Sequence, residues 1–308
     1  MAERPINITN GSAAAADIRK DHSVMDFIAL LKPRVMSLVV FTGFAGLFVA
    51  PGEIHPVIAA ISILCIAVAT GASGAINMWY ERDLDAKMER TKNRPIPAGR
   101  VQAETALAFG VVLAGGSVMV MGLGVNWVAA ALLALAIDFY VFVYTIWLKP
   151  RTPQNIVIGG AAGAFPPMIG WAAVTADVGL GGIALFALIF TWTPPHFWAL
   201  SLYKVDDYEQ AGIPMLPVVS GVRETKRQIL LYTLLLLPVS LVPCIVGIAS
   251  IWWGGLALVL GGIFVFFSIV LFSDDSERRP RQMFSFSLLY LSILFAGLIV
   301  DTFVSRLY

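Results

Sequence analysis

The sequence predicts an all-α membrane protein with nine transmembrane helices around a central cavity. Of its 308 residues, 58% are hydrophobic and 13% are charged. The apolar residues form runs of roughly 20 residues, the length that an α-helix needs to cross a bilayer, and the charges lie between these runs. The nine predicted spans are 35–50, 56–79, 104–122, 126–148, 155–175, 179–202, 229–249, 252–272 and 284–304.

The positions of the basic residues predict the topology, because Lys and Arg concentrate in cytoplasmic loops. With nine spans, the N-terminus and every second loop lie on one side of the membrane. These segments contain all of the 21 Lys and Arg residues except Arg306. We therefore expect residues 1–30 to be a polar cytoplasmic tail and residues 31–308 to be a single polytopic domain with its basic face toward the cytoplasm.

The N-terminal segment bears on the cellular location. Residues 1–22 have no apolar core typical of a signal peptide, and their three acidic residues are unusual for a mitochondrial presequence. A bacterial cytoplasmic (inner) membrane is the expected location. The lipid bilayer is then the first partner, and the basic face suits anionic headgroups or an anionic substrate. Nucleic acid is not an expected partner.

A four-residue sequence, Leu-Lys-Pro-Arg, occurs at 31–34 and again at 148–151. Each copy precedes a pair of predicted spans that ends in an acidic segment, 77–85 in the first case and the surroundings of Asp206 and Asp207 in the second. This order favours an internal parallel repeat in which the two acidic segments face each other across the cavity. A match of four residues can also arise by chance, so both interpretations stay open here.

The first acidic segment carries Asn77, Glu81 and Asp85 at intervals of four residues. Residues four apart on an α-helix differ in direction by about 40° and rise roughly 6 Å, so these side chains form a ladder on one face. Asp83 lies off that face. Hard cations such as Mg²⁺ prefer oxygen ligands of this kind, completed by substrate phosphates. A merely solvated helix end would need no such spacing.

A basic run follows the ladder at once and contains Arg90, Lys92 and Arg94. Guanidinium and ammonium groups bind phosphate oxygens, so the run is a candidate contact for a diphosphate. The second acidic segment has Lys204 beside Asp206 and Asp207. It is either a second metal or diphosphate site or an ordinary charged loop.

His196 and Asp138 are ionisable residues that fall within predicted spans. His196 lies between aromatic residues near the end of the sixth span, and imidazole is a common ligand of haem iron, although it is also often a satisfied polar group. Asp138 falls near the middle of the fourth span, where a charge costs about 2.5 to 3.5 kcal/mol. Proton handling and hydrogen bonding to another helix are both open for Asp138, and no catalytic role is assigned to it.

These residues resemble the UbiA-type intramembrane prenyltransferases, whose first motif is Asn-xxx-Asp-xxx-Asp at the end of the second helix. Within that family they are similar to the members that farnesylate protohaem IX. The similarity rests on the stretches 88–95, 152–160, 164–171, 192–198 and 207–217. Two positions depart from the family pattern: Glu81 replaces the usual Asp, and Tyr203 stands four residues before Asp207, where an Asp is usual.

The resemblance implies a prenyltransferase domain that transfers the farnesyl group of farnesyl diphosphate to the 2-vinyl group of protohaem IX, with addition of water, giving haem o and diphosphate. It implies Mg²⁺ as cofactor, and Asn77, Glu81, Asp85 and Asp207 as catalytic residues. The implied metal ligands are Asn77, Glu81, Asp85, Asp206 and Asp207. The implied diphosphate-binding residues are Arg90, Lys92, Arg94, Lys149, Arg151 and Lys204. His196 is the implied haem-binding residue.

Haem a synthase or assembly factors of terminal oxidases are the protein partners that this activity suggests. Two alternatives remain at this point. The first is a prenyltransferase of the same architecture with an aromatic or quinone-precursor acceptor. The second is a transporter of an anionic substrate, which can also combine polar groups at mid-membrane with an internal repeat. The transporter fits less well, because the acidic ladder lies at one membrane surface.

Overall fold

The computed structural model describes residues 23–273 and 276–307, which are helical and contain no β-strand. The helices are α1 (Val24–Leu30), α2 (Pro33–Val49), α3 (Pro56–Tyr80), α4 (Arg82–Asp85), α5 (Ala103–Gly124), α6 (Trp127–Asp138), a π-helix (Phe139–Leu148), α7 (Asn155–Gly159), α8 (Ala161–Thr175), α9 (Leu180–Leu202), α10 (Val205–Gln210), α11 (Leu216–Ile245), α12 (Ile251–Val270) and α13 (Arg278–Ser305). The first of these, α1, lies within the predicted polar tail, and the rest of that tail, residues 1–22, lies outside the described residues.

Eight helical segments in the described part of the chain are long and apolar enough to cross a membrane. The π-helix continues α6 to form one of them, Trp127–Leu148, and α7 with α8 forms another, Asn155–Thr175. The first predicted span corresponds to α2, an apolar helix of only 17 residues. The protein is a multi-pass membrane protein. The ninth crossing and the cytoplasmic N-terminus remain predictions.

The seventh predicted span, 229–249, begins too late. The corresponding helix α11 starts at Leu216. Its residues 220–228 are mostly polar, and their low hydropathy hides this part of the helix from a search for apolar runs. The helix also bends at Gly221, where φ is 80°, a left-handed conformation that glycine adopts at little cost. The connection between α9 and the apolar part of α11 is thus largely helical.

The two largest apolar clusters pack the long helices against one another. One cluster joins α9 to the last three helices, and the other joins α2, α3, α6 and α8. Fully or almost fully buried members of the first are Leu188, Ile229, Phe264 and Leu294, and of the second Ile66, Leu133 and Ile169. Because lipid is as apolar as these side chains, close packing rather than hydrophobicity holds such helices together.

The backbones of α2 and α8 lie very close together where these two helices cross. A Cβ atom on Gly46 would lie 2.0 Å from the backbone oxygen of Pro167, and one on Gly170 would lie 2.1 Å from that of Gly43. Only glycine permits such a distance between the two backbones. These helices are the first long helices of the two predicted repeat units, so the units meet along α2 and α8.

The order of elements matches the predicted repeat. In the first unit α2 and α3 are followed by the acidic α4, and in the second α8 and α9 are followed by the acidic α10. Leu84 and Met88, in and beside the first acidic segment, pack in the same large apolar cluster as Tyr208 of the second. The equivalence of the two units beyond this order remains a prediction.

Candidate active site

The ladder of oxygen-bearing side chains lies where α3 passes into α4. Glu81 N donates to Asn77 O at 2.9 Å and Asp85 N donates to Glu81 O at 2.7 Å, so helical register continues across the junction. The three residues are buried, with exposed fractions of 3%, 6% and 2% for Asn77, Glu81 and Asp85. Asp83 is exposed. Three ligands of the type that Mg²⁺ prefers therefore share one buried face.

Each residue of the ladder is held by a cation. Lys32 Nζ donates to Asn77 Oδ1 at 2.7 Å, Lys149 Nζ to Glu81 Oε1 at 2.5 Å, and the Arg94 guanidinium to Asp85 Oδ2 at 2.6 Å. Two of the three cations face a carboxylate, whereas Lys32 faces a neutral amide. When Lys32 is protonated, the cluster has one more positive charge than it has carboxylates, which favours an anionic ligand.

Lys32 is a site residue that sequence reasoning missed. Burial of its ammonium group and the charges of Arg94 and Lys149 lower the pKa of Lys32 to about 7, against the opposing influence of Glu81 and Asp85. The first Leu-Lys-Pro-Arg copy contains Lys32 at the position that Lys149 has in the second. Because Lys149 was assigned to the site, the repeat was the signal that could have found Lys32.

The π-helix positions two of the ladder contacts. Its Thr145 Oγ1 accepts a hydrogen bond from Asn77 Nδ2 at 3.1 Å, and Lys149, directly after it, reaches Glu81. Both contacts join residues that are 68 positions apart in the chain. The end of the π-helix therefore lies alongside the end of α3. Helical segments with i→i+5 hydrogen bonds are frequently found at functional sites.

The second acidic segment, α10, is more open. Asp206 is exposed, whereas Asp207 is half-buried. The Oδ2 atom of Asp207 lies 3.4 Å from Lys204 Nζ. That contact is an ion pair without hydrogen-bond geometry, so Asp207 Oδ2 is a buried carboxylate oxygen that makes no hydrogen bond. An acceptor in this condition suits a cation or a donor from a ligand.

Tyr203 caps the C-terminal end of α9, two residues before α10 begins. Burial raises the pKa of its phenol, and the nearby guanidinium groups of Arg281 and Arg90 oppose this change. Arg90 of the basic run is therefore near enough to Tyr203 to act on its phenol, and Arg281 lies over the Tyr203 ring at 5.0 Å. The position at which the family pattern has an acid is here an aromatic ring that contacts a cation.

Two of the predicted diphosphate-binding residues make other contacts. Lys92 pairs with Glu89 at 2.6 Å on the surface. Arg151 donates at 3.0 Å to the backbone oxygens of Ile146 and Trp147 and so satisfies the end of the π-helix. Neither residue contacts the ladder within the part of the chain that the structure describes.

The oxygen donors of the ladder decide whether it can hold a metal ion. Among residues 23–273 and 276–307, no three Asp, Glu, His or Cys side chains lie close enough together to hold a metal ion. The ladder contributes two carboxylates and one amide, and Asp207 Oδ2, which makes no hydrogen bond, is a further oxygen donor. All are oxygen donors, as Mg²⁺ requires, and bound Mg²⁺ usually completes its shell with substrate phosphates and water. The residues present fit Mg²⁺ on that basis.

His196 lies in a stack of rings where α9 meets α13. Its ring is stacked between Trp192, with centroids 4.3 Å apart, and Phe284, at 4.7 Å. Its Nδ1 atom lies 2.6 Å from Ser287 Oγ, which is 2.6 Å from Phe284 O as well. A hydroxyl has one proton, and the carbonyl can only accept it. If the hydroxyl proton is directed to Phe284 O, Ser287 accepts a hydrogen bond from Nδ1, and Nε2 is then the ring nitrogen without a proton.

The family of the chain follows from comparison with known proteins. The model of the UbiA prenyltransferase family matches residues 39–294. A protoheme IX farnesyltransferase of Parvibaculum lavamentivorans is 58% identical over 283 residues, which are 91% of this chain and 89% of the relative. One of Rhizobium johnstonii is 56% identical over 283 residues, with coverages of 91% and 90%.

Solved structures show the same fold at low sequence identity. A digeranylgeranylglyceryl phosphate synthase has a TM-score of 0.76 at 17% identity, covering 90% of this chain and 98% of its own. A UbiA homologue from Archaeoglobus fulgidus, solved with DMAPP and Mg²⁺, has a TM-score of 0.68 at 17% identity, with coverages of 91% and 98%. By its family match, its relatives and its fold, the chain belongs to the UbiA prenyltransferase family.

Proposed function

We propose that this chain transfers the farnesyl group of farnesyl diphosphate to the 2-vinyl group of protohaem IX, with addition of water, and so forms haem o and diphosphate. The observation that carries the proposal is the buried ladder whose three residues are each held by a cation. Relatives that are 53–58% identical over at least nine-tenths of this chain bear the name protoheme IX farnesyltransferase, which supports protohaem as the acceptor.

The ladder would hold Mg²⁺ through Asn77, Glu81 and Asp85, with Asp206 and Asp207 as ligands from the second segment. When bound, Mg²⁺ neutralises charge on the diphosphate and makes it a better leaving group. Asp207 is better supported than Asp206, because it is half-buried and has an oxygen without a hydrogen bond. The side chain of Glu81 is one methylene longer than that of the usual Asp, so its carboxylate would meet the metal at a greater distance from the backbone.

The basic residues would bind the diphosphate. Lys149 and Arg94 are best placed, because each already contacts a ladder carboxylate with only one of its donors. Arg90 lies near Tyr203 and Lys204 lies beside α10, and they complete the cationic surroundings. Lys92 and Arg151 have the least support, since their contacts lie elsewhere. As the C–O bond breaks, the diphosphate leaves with the bonding electrons, and these fixed cations stabilise its growing charge.

The acceptor half of the reaction would use the seam between α9 and α13. The free Nε2 atom of His196 is a suitable ligand for the iron of protohaem. Ligation at this atom would hold the porphyrin edge near the farnesyl group. The vinyl π electrons then bond to the farnesyl carbon, and water adds to the resulting cation with release of a proton.

The proposed location is a bacterial inner membrane with the ladder on the cytoplasmic side, where both substrates are available. The distribution of Lys and Arg supports this orientation. Haem a synthase or oxidase assembly factors would receive the product. An aromatic or quinone-precursor acceptor has no specific support among the relatives, and a transporter would not release diphosphate.

The test is mass spectrometry of haem after incubation of the purified chain with protohaem, farnesyl diphosphate and Mg²⁺. The expected product is heavier than protohaem by one farnesyl group and one water, and its formation requires the metal. Parallel reactions contain an aromatic acid or a quinone precursor in place of protohaem. If one of these compounds is prenylated while protohaem stays unmodified, the proposal that haem is the acceptor is overturned. If the substrate moves across a liposome membrane without release of diphosphate, the proposal that the chain is an enzyme is overturned.

A further inference from the structure

Asp138, the last residue of α6, faces outward near the middle of a membrane span. The span Trp127–Leu148 has exposed tryptophans near both ends, Trp127 and Trp147, which is typical of the two membrane interfaces. Asp138 lies about midway between them and is itself exposed. A carboxyl group is thus presented at the depth of the lipid chains.

The exposed residues of this span form one continuous seam. Its members, in chain order, are Trp127, Ala131, Leu135, Asp138, Phe142 and Trp147. The steps of three and four residues fit an α-helix, and the last step of five fits the wider turn of the π-helix. The opposite side of the span is buried against the rest of the protein through Ala129 and Leu133, so the seam faces away from the ladder.

Acidic side chains in membrane spans almost always face the protein interior or a partner. Asp301, near the end of α13, follows this rule, because its carboxylate accepts hydrogen bonds from the Ser250 backbone N–H and hydroxyl. Asp138 makes no side-chain hydrogen bond or ion pair with any residue in 23–273 and 276–307. Lipid can cover the apolar members of the seam, but it cannot satisfy this group.

We propose that the seam is an interface between two copies of this chain, with the Asp138 residues of the two copies hydrogen-bonded to each other. Two copies in one membrane have the same orientation, so a twofold axis normal to the membrane brings identical residues together at equal depth. A carboxylic acid has one O–H donor and free acceptor positions. Two such groups therefore satisfy each other, and the small Ala131 in the seam allows close approach.

The experiment is disulfide crosslinking of the purified full chain in liposomes at a low protein-to-lipid ratio. Cys65 and Cys244 are first replaced by Ala and Ser. Leu135→Cys places a thiol on the seam, and Val259→Cys, the matched control, places one on the surface of α12, where Val259 is also exposed. Oxidation is expected to give a covalent dimer with Leu135→Cys and little with Val259→Cys. Equal crosslinking at both positions, or none at Leu135→Cys, overturns the interface.

The role of Asp138 is tested in the Leu135→Cys background. Asp138→Leu is expected to weaken dimerisation roughly tenfold, the size expected for interhelical hydrogen bonds in a bilayer. Asp138→Asn is expected to keep the dimer, because an amide also donates and accepts. An unchanged dimer in a monodisperse Asp138→Leu variant overturns the hydrogen-bonded pair. If that variant does not fold, loss of the dimer in Asp138→Asn also overturns it. A crosslink to a different protein in native membranes, with no covalent dimer in liposomes, would show another partner at the seam and would overturn the proposal of a second copy.

Discussion

Lys149 and Glu81 form an ion pair with an N–O distance of 2.5 Å between the end of the π-helix and the end of α3. Their side chains are only 18% and 6% exposed. A buried pair adds little net stability, because loss of hydration offsets the attraction, but removal of one partner leaves an uncompensated charge. The pair thus fixes the carboxylate within the ladder more than it stabilises the fold.

Lys149→Met is expected to destabilise the protein by roughly 3 to 5 kcal/mol, as the loss of one member of a buried pair does, and to abolish farnesyl transfer. The double variant Glu81→Gln with Lys149→Met has no unpaired charge at this place, so it should recover most of the stability but none of the activity. Thermal unfolding in detergent and single-turnover product formation measure the two effects. An active double variant would show that the pair is only structural.

Lys32 gives a dependence of stability on pH. Its pKa is lowered to about 7 in the folded protein by burial and by the neighbouring Arg94 and Lys149, whereas an unfolded lysine titrates near about 10.4. Between these values the unfolded chain binds one more proton, so stability rises with pH. The free energy of unfolding is expected to rise by about 2 kcal/mol between pH 7 and pH 9 because of this group.

Unfolding experiments at several pH values, with wild type and Lys32→Met, check this expectation. The variant cannot titrate at this position, so its stability should change less over the same window. Lys87→Met, at an exposed position beyond α4, is the matched control and should behave as wild type. Identical pH profiles for Lys32→Met and wild type would contradict the lowered pKa.

The ladder could be predicted from the sequence because it depends on local helical geometry. The spacing of Asn77, Glu81 and Asp85 fixes their common face wherever the helix lies, and helical register does continue across them. The contacts of the ladder are not local. Lys32 reaches Asn77 across 45 residues, and only the packing of α2 against the rest of the protein determines that distance.

The π-helix marks another limit of sequence reasoning. Residues 139–148 are apolar and aromatic and read as part of an ordinary span, since hydropathy is the same for both kinds of helix. The wider turn brings Thr145 and Lys149 to the ladder, and it leaves Arg151 to satisfy carbonyl groups at the end of the helix. The resemblance implied Arg151 as a diphosphate-binding residue, and that role stays a prediction.

Asp85 and Asp83 offer a matched pair for the metal site. Both are in α4, but Asp85 is 2% exposed and bound to Arg94, whereas Asp83 is exposed. Asp85→Asn is expected to lower turnover roughly 100-fold or more, because a ligand of the metal and its charge are lost. Asp83→Asn should remain within about twofold of wild type, as surface substitutions usually do.

Steady-state rates over a range of Mg²⁺ concentrations separate binding from chemistry in these two variants. A loss of activity in Asp85→Asn that excess Mg²⁺ partly restores would indicate weakened metal binding. Equal losses in both variants would contradict the buried face as the metal site, since Asp83 does not share it.

Ser287 is expected to control how His196 binds haem. Its hydroxyl lies 2.6 Å from both Phe284 O and His196 Nδ1, and in the tautomer that donates from Nδ1 to this hydroxyl, Nε2 is free to bind iron. Hydrogen bonds to the second ring nitrogen of a ligating histidine orient the ring and raise its basicity, and their loss commonly lowers affinity about 10- to 100-fold. Ser287→Ala should therefore weaken protohaem binding within this range and shift the iron–histidine vibration in the resonance Raman spectrum.

Ser285→Ala is the control, because Ser285 lies on the same helix and its hydroxyl also donates to a backbone oxygen, that of Arg281 at 3.0 Å, without contacting His196. Its haem spectrum should equal that of wild type. Ser287→Thr keeps the hydroxyl and should restore the wild-type vibration. The KM for farnesyl diphosphate should stay unchanged in Ser287→Ala, because the hydrogen bond acts only on the acceptor half of the site. An iron–histidine vibration that is the same in Ser287→Ala and wild type would exclude this hydrogen bond as the control of ligation.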